Sequence, residues 1–216
     1  MPDKETNIPK QVQKAYDQIV STYANQNHSQ LPPENLRRWA DKLVKHIGRE
    51  GRLLEVGCGT GRDMAWFESQ QIRVVGFDLS AGMLDYARSQ VSGGLVLMSM
   101  QQIGFADDHF DGIWCCASLL HLPKSQVPDI LREMRRVLKR GGLMVLSVQA
   151  GQFEGWDEGY VDGVKRFFAR YQREEMADLL AEAGFDVSEI EVNEAGKRTW
   201  LGYLCQYEGK QPISAD

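Results

Sequence analysis

Two helical patterns open the chain. Val12, Tyr16, Ile19 and Tyr23 recur at helical spacing, and Leu36, Trp39, Ala40, Leu43, Val44 and Ile47 do so more fully. Pro32-Pro33 precedes the second pattern and Gly48 follows it, the usual placement of helix-opening and helix-closing residues. The polar stretch 25–30 reads as a loop between the two. From there, short apolar runs alternate with helical segments. Strands are predicted at 52–56, 73–77, 95–98, 112–116 and 143–148, and helices at 62–69, 81–90 and 126–139. Within the last helix Val127, Ile130, Leu131, Met134, Val137 and Leu138 form one apolar face, with Gly141-Gly142 as its stop. Strand–helix alternation of this kind predicts a parallel sheet covered on both faces.

The pattern changes after residue 149. Residues 150–171 combine repeated glycines with Phe153, Trp156, Tyr160, Phe167, Phe168 and Tyr171, and read as a long loop. Such length in a compact domain points to function or mobility. A helix carrying Met176, Leu179, Leu180 and Ala183 then stops at Gly184, and strands at 185–192 and 199–207 flank a hairpin turn at 193–196. No internal repeat is evident.

The chain has 216 residues, enough for one domain with a full core and without disulfides or metals. A net charge of −5 argues against a polyanion binder. Cys58, Cys115, Cys116 and Cys205 form no CxxC pair, and His28, His46, His109 and His121 are scattered, so no metal site is expected. Reduced thiols fit a cytoplasmic protein. The start opens no apolar leader run, and the longest charge-free window, 89–106, is too polar for a bilayer span.

The informative segment is LLEVGCGTGRD at 53–63. A buried strand runs into glycines at 57, 59 and 61, then into a helix. Such a loop lets a ligand lie against the backbone at the carboxyl edge of the strand. The spacing is GxGxG, not the GxGxxG of dinucleotide folds, whose third glycine is here Arg62. Glu55 precedes the loop, and a carboxylate there suits a cationic group better than a pyrophosphate. Asp78 ends the second strand, where a carboxylate accepts both hydroxyls of a ribose. Ser80 is a natural cap for the helix that follows. These pieces together point to nucleoside binding.

The segments LLEVGCGTGRD (53–63), VVGFDLSAGMLDYAR (74–88), FADDHFDGIWCCASLLHLP (105–123) and EMRRVLKRGGLMVLSV (133–148) resemble the class I S-adenosylmethionine-dependent methyltransferases. The likeness is to the small single-domain, type 11 and ubiquinone/menaquinone-type branch. It implies one α/β domain: a Rossmann-like, seven-stranded, mostly parallel sheet with an antiparallel last strand. Residues 1–50 would form a helical lid, 51–149 the cofactor core, 150–171 a substrate loop and 172–207 a closing helix and hairpin.

For S-adenosylmethionine, the resemblance implies that Glu55 and the backbone of Gly57, Cys58, Gly59 and Gly61 hold the methionine part. Asp78 would take the ribose, Leu79 and Met83 the adenine face, and Ser99, Met100 and Gln101 the adenine edge. Family members often carry an acidic residue where Ser99 stands, so adenine selection here would lean on backbone groups or Gln101. Ala117 would border the methyl group, and Tyr23 on the first helix would cover the cofactor. His121 is the candidate general base, the alternative being a structural histidine bonded to a loop carbonyl. Tyr16, Trp156, Tyr160, Arg166 and Phe167 are the candidate walls for a small-molecule methyl acceptor. The basic run 132–140 lies on the polar face of its helix and reads as solvated rather than as a nucleic-acid site. A monomer or homodimer is expected. A nicotinamide oxidoreductase, a non-catalytic nucleoside-binding module and another use of the same cofactor, such as cyclisation, remain rivals at this point.

Overall fold

The structure, a computed structural model, describes residues 7–26, 34–158 and 163–209. The N-terminal patterns form α1 (Ile8–Gln26) and α2 (Glu34–Ile47), so α1 runs into the start of the expected loop. Pro32-Pro33 and Tyr160 lie outside the described residues. The alternating region gives β1 (Arg52–Val56), α3 (Arg62–Ser69), β2 (Arg73–Asp78), α4 (Ala81–Ala87), β3 (Gly94–Leu97), β4 (Phe110–Cys116), α5 (Val127–Val137) and β5 (Leu138–Gln149). The remainder gives β6 (Glu154–Asp157), β7 (Arg166–Ala169), α6 (Arg173–Glu182), β8 (Asp186–Ala195) and β9 (Arg198–Gln206).

Among the described residues, seven strands form one sheet in the order β3-β2-β1-β4-β5-β9-β8. β1 to β5 run parallel, and β9 is antiparallel to both β5 and β8. β1 lies between β2 and β4, so the chain's strand order reverses there. In open α/β sheets, ligands bind beyond the carboxyl ends of the strands at that reversal. Two buried apolar clusters cover the sheet. One joins α5 and α6 to it through side chains such as Ile130, Met134 and Leu180; the other joins α2 and α3 through Trp39, Leu43 and Phe67. Each fully buried side chain of this size stabilises the fold by roughly 1.5–3 kcal/mol. α2 sits close to the sheet because a Cβ at Gly202 would lie 2.6 Å from the Trp39 ring.

Several boundaries differ from the sequence reading, three of them for a plain local reason. α5 ends at Val137 instead of Lys139, because Leu138 pairs with Phe110 and begins β5; Gly141, at φ +81°, falls at the irregularity in that pairing. α4 ends at Ala87, whose carbonyl is taken by Gln90 N–H at 2.8 Å and Val91 N–H at 3.1 Å. β8 extends to Ala195, so the hairpin turns at Gly196-Lys197 and not across 193–196. The segment 150–171 is not a plain loop. β6 and β7 pair as an antiparallel ribbon, with Trp156 opposite Phe167, and Arg170 bonds Asp157 at 2.6 Å.

Candidate active site

The glycine loop leaves β1 and is anchored at once to β2: Gly57 N–H and Cys58 N–H both donate to Phe77 O at 2.9 Å. Gly57 has φ +73°, and a Cβ there would lie 2.4 Å from the Ser118 Cβ. Only glycine meets both conditions. Asp78 accepts from Gly59 N–H through Oδ2 at 2.9 Å and from Ser80 N–H through Oδ1 at 2.8 Å. The carboxylate thus ties the loop to the start of α4 while its remaining lone pairs face a cavity of about 100 Å³. Burial raises its pKa, opposed by those backbone bonds. Leu79, Met83, Ser99 and Met100 line the same cavity. Gln101 does not; its amide donates to Gln126 at 2.8 Å.

Glu55 is buried, and its Oε2 has no hydrogen-bond partner in the protein. Burial first, then the charge of Asp63, holds its pKa well above the usual carboxylate range. Together with Cys58, Gly59 and Asp63 it borders a small adjoining cavity of about 30 Å³. Arg62 fills one side of that cavity and bonds Asp63 at 2.6 and 3.1 Å. Asp63 also accepts from the Trp114 indole at 2.8 Å. Gly61 serves as the N-cap of α3 at φ +79° and lines none of these cavities.

α1 lies across the carboxyl edge of the sheet. Asp17 anchors it, accepting from Ser80 Oγ at 2.5 Å and Gly82 N–H at 3.0 Å. Tyr23 then reaches both of these cavities. Tyr16 packs edge-on against Tyr23 with ring centroids 5.8 Å apart. The imidazole of His121 lies between two partners: Nδ1 is 2.7 Å from Phe167 O, and Nε2 is 2.6 Å from Tyr16 Oη. A carbonyl only accepts, so Nδ1 carries the proton, and Nε2 accepts from the tyrosine hydroxyl. Burial pushes the His121 pKa down to about 3, so the ring is neutral. Ala117, at φ +56°, stands beside it at the end of β4, a strained position for a residue with a side chain.

A third cavity, of about 250 Å³, opens on the far side of Tyr16, Ala117 and His121. Arg166 and Phe168 of β7, Gln149 of β5, and Arg198 and Trp200 of β9 enclose it. Of the expected acceptor-binding residues, Tyr16 and Arg166 line it. Trp156 and Phe167 do not: their rings meet at 5.8 Å on the other face of the β6–β7 ribbon. Arg198, Trp200 and Gln149 escaped the sequence reading, because nothing local marks the tip of a distant hairpin as part of this wall.

These residues fit S-adenosylmethionine. The orphaned Glu55 oxygen offers an acceptor to a cationic amino group, and Asp78 lines the 100 Å³ cavity with Leu79, Met83 and Met100. The glycine loop leaves room that a Cβ would fill. Residues 54–146 match the family described as methyltransferase domain. With this fold and these motifs, the family match supports a class I S-adenosylmethionine-dependent methyltransferase. It is 31% identical to methyltransferase GfsG of Streptomyces halstedii over 171 residues, which covers 73% of this chain and 61% of that protein. The chain therefore spans under two thirds of that relative's length. Among solved structures, it resembles Burkholderia thailandensis 1,6-didemethyltoxoflavin-N1-methyltransferase with bound 1,6-didemethyltoxoflavin and S-adenosylhomocysteine. The TM-score is 0.70 at 22% identity, over 93% of this chain and 91% of that one. The [4+2]-cyclase SpnF also matches, at TM-score 0.73 and 17% identity over 93% of this chain and 97% of that one. A fold shared with a cyclase does not fix the chemistry; the domain match and the motifs carry the assignment to methyltransferases. No helix among the described residues is long and apolar enough to cross a membrane.

Proposed function

We propose that the chain transfers a methyl group from S-adenosylmethionine to a small-molecule acceptor bound in the 250 Å³ cavity beside Tyr16. The observation that carries this is the shared wall: Tyr16, Tyr23, Cys116, Ala117 and His121 line both the 100 Å³ cavity beside Asp78 and the larger cavity. An acceptor there would meet the cofactor across that wall. The cavity is small and enclosed by a helix and a ribbon, which favours a small molecule over nucleic acid. The cofactor supplies an electrophilic methyl carbon, so the protein's main task is to align the acceptor; proximity and orientation contribute up to about 7–11 kcal/mol in favourable cases. The four free cysteines agree with a cytoplasmic setting.

Glu55 would hold the amino group of the methionine part, Asp78 the ribose, and Leu79, Met83, Ser99 and Met100 the adenine. Tyr23 and Ala117 would flank the reacting end. Tyr16 presents its hydroxyl to the acceptor, and His121 acts through Tyr16 as a positioning residue: its neutral Nε2 fixes the hydroxyl, and Phe167 O fixes the imidazole. α1 and the β6–β7 ribbon serve as the lid that keeps water from the methyl group.

Incubation with methyl-labelled S-adenosylmethionine and a metabolite extract tests the reading. Label should enter a small-molecule product as S-adenosylhomocysteine accumulates; binding without any turnover across such extracts would leave only a nucleoside-binding module. With the acceptor in hand, Tyr16→Phe should lower kcat by about 10²-fold, the lower end of what one positioned polar group contributes, with cofactor affinity little changed. His121→Phe should add little to Tyr16→Phe, because the two act as one unit. Additive losses would give His121 a role of its own.

A further inference from the structure

The second half of α1 packs outside the two large apolar clusters, with Ile19 against Met83 in a small separate one. Its firmest tie to the sheet's edge is polar. Asp17 Oδ1 accepts from Ser80 Oγ at 2.5 Å and from Gly82 N–H at 3.0 Å. The helix comes this near because residue 82 is glycine. A Cβ there would lie 3.0 Å from a Val20 methyl and 3.2 Å from Asp17 Oδ1. Ser80 is buried, and its hydroxyl has one proton to give. That proton goes to Asp17, while the oxygen accepts from Met83 N–H at 3.1 Å. The Ser80 N–H is held in turn by Asp78 at 2.8 Å. One serine therefore joins α1 to the residues proposed for the ribose and for the adenine.

We propose that Asp17 is a positioning residue for the cofactor: it seats α1 over the cleft and, through Ser80, ties that seating to Asp78 and Met83. This rests on the cofactor reading of the cleft and deepens it. Val12, Tyr16 and Tyr23 of α1 line the 100 Å³ cavity on one side, and Asp78, Leu79 and Met83 line it on the other. A ligand between them touches both sides, so it favours the seated form over one in which α1 has lifted. By linkage, seating and ligand binding favour each other to the same extent. Release requires α1 to lift, so the strength of the Asp17 latch governs how long the ligand stays.

The same seating completes the acceptor cavity, because Tyr16 and Tyr23 form part of its wall as well. One carboxylate at the rim thus serves both cavities without entering either. Asp17 is exposed and lines none of the three cavities, so its removal takes no contact from a ligand and opens no void in the core.

The test compares the full chain with Asp17→Ala and Asp17→Asn, using S-adenosylhomocysteine as the probe. Hydrogen exchange of residues 8–26 reports the seating of α1, and chase of labelled S-adenosylhomocysteine by excess unlabelled ligand reports release. In Asp17→Ala, α1 of the ligand-free protein should exchange at least about fivefold faster, the lower end for two hydrogen bonds lost together, while β1 and β4 keep their protection. Release should speed up by at least about the same factor. Asparagine keeps the accepting Oδ1, so Asp17→Asn should recover about half of the loss on a logarithmic scale, since charge-assisted bonds are roughly twice as strong as neutral ones. Wild-type release and wild-type α1 exchange in Asp17→Ala would overturn the proposal. So would exchange that rises as much in β1 and β4 as in α1, which marks a general loss of stability, or an asparagine variant no better than alanine. Failure of S-adenosylhomocysteine to bind the unaltered chain would count against the cofactor reading instead, and α1 exchange in the ligand-free proteins would still decide whether Asp17 seats the helix.

Discussion

Glu55→Gln should separate stability from cofactor binding, moving the two in opposite directions. The carboxylate is buried, beside Asp63 and Asp78, with one oxygen unpartnered. Glutamine keeps the shape and removes the charge. A hydrogen bond to a charged group contributes roughly 1.5–3 kcal/mol, so the loss of one bond to the cofactor's amino group weakens binding roughly 10- to 150-fold. The ligand-free protein should become more stable at neutral pH, because the substitution removes a buried charge that sits beside like charges. The sign of the pH dependence follows from linkage. Burial raises the folded-state pKa above the 4.5 of a free glutamate. Between 4.5 and that raised value the folded protein binds more protons than the unfolded chain, so its stability falls as pH rises through this window and levels off above it. In the variant this part of the slope disappears, while the smaller part due to Asp78 remains. Calorimetric titration with S-adenosylhomocysteine and denaturant unfolding across pH 4.5 to 8 measure both quantities. Unchanged affinity in a folded variant, or lower stability with an unaltered pH profile, would refute the reasoning.

Three further outcomes follow from the same geometry. Asp78→Ala removes the proposed ribose acceptor and the partner of Gly59 and Ser80 N–H groups; S-adenosylhomocysteine affinity should fall at least about tenfold by calorimetry. Gly57→Ala places a side chain at φ +73° and a Cβ 2.4 Å from that of Ser118. About 1–2 kcal/mol of backbone strain and about 1–3 kcal/mol of overpacking should lower the melting temperature by roughly 5–15 °C in scanning calorimetry. Activity should persist in excess chelator, since the described residues hold no group of three metal-ligating side chains; loss of turnover that a divalent ion restores would contradict this.

The two halves of the site differ in how much of them could be read from the sequence, and the difference is physical. The proposed cofactor half is local. Glu55, Gly57, Gly59 and Gly61 follow one another through a strand, a turn and a helix start, and the backbone geometry such a turn needs restricts the residue types that can serve. Asp78 and Ser80 end the next strand in the same way. The spacing of a few residues therefore carries the arrangement, and Gln101, where it misleads, lies beyond the last strand end on a turn that bends toward Gln126.

The acceptor half is assembled by long-range pairing, and its faces depend on register. In β7 the side chains alternate, so Arg166 and Phe168 face the cavity while Phe167 turns to meet Trp156. Read as a loop, the segment has no parity, and Phe167 and Phe168 cannot be told apart. Pairing with β6 supplies the parity. Arg198 needs still more: its place depends on the length of β8, on the turn at Gly196-Lys197 and on the antiparallel register that sets Trp200 opposite Gln149. A one-residue slip in that register would turn Arg198 and Trp200 away together. The cofactor floor is thus fixed by short-range sequence, while the charge and shape of the acceptor cavity depend on the pairing of the β6–β7 ribbon and the β8–β9 hairpin. Changes confined to those two hairpins could therefore alter the acceptor without disturbing the glycine loop or Asp78.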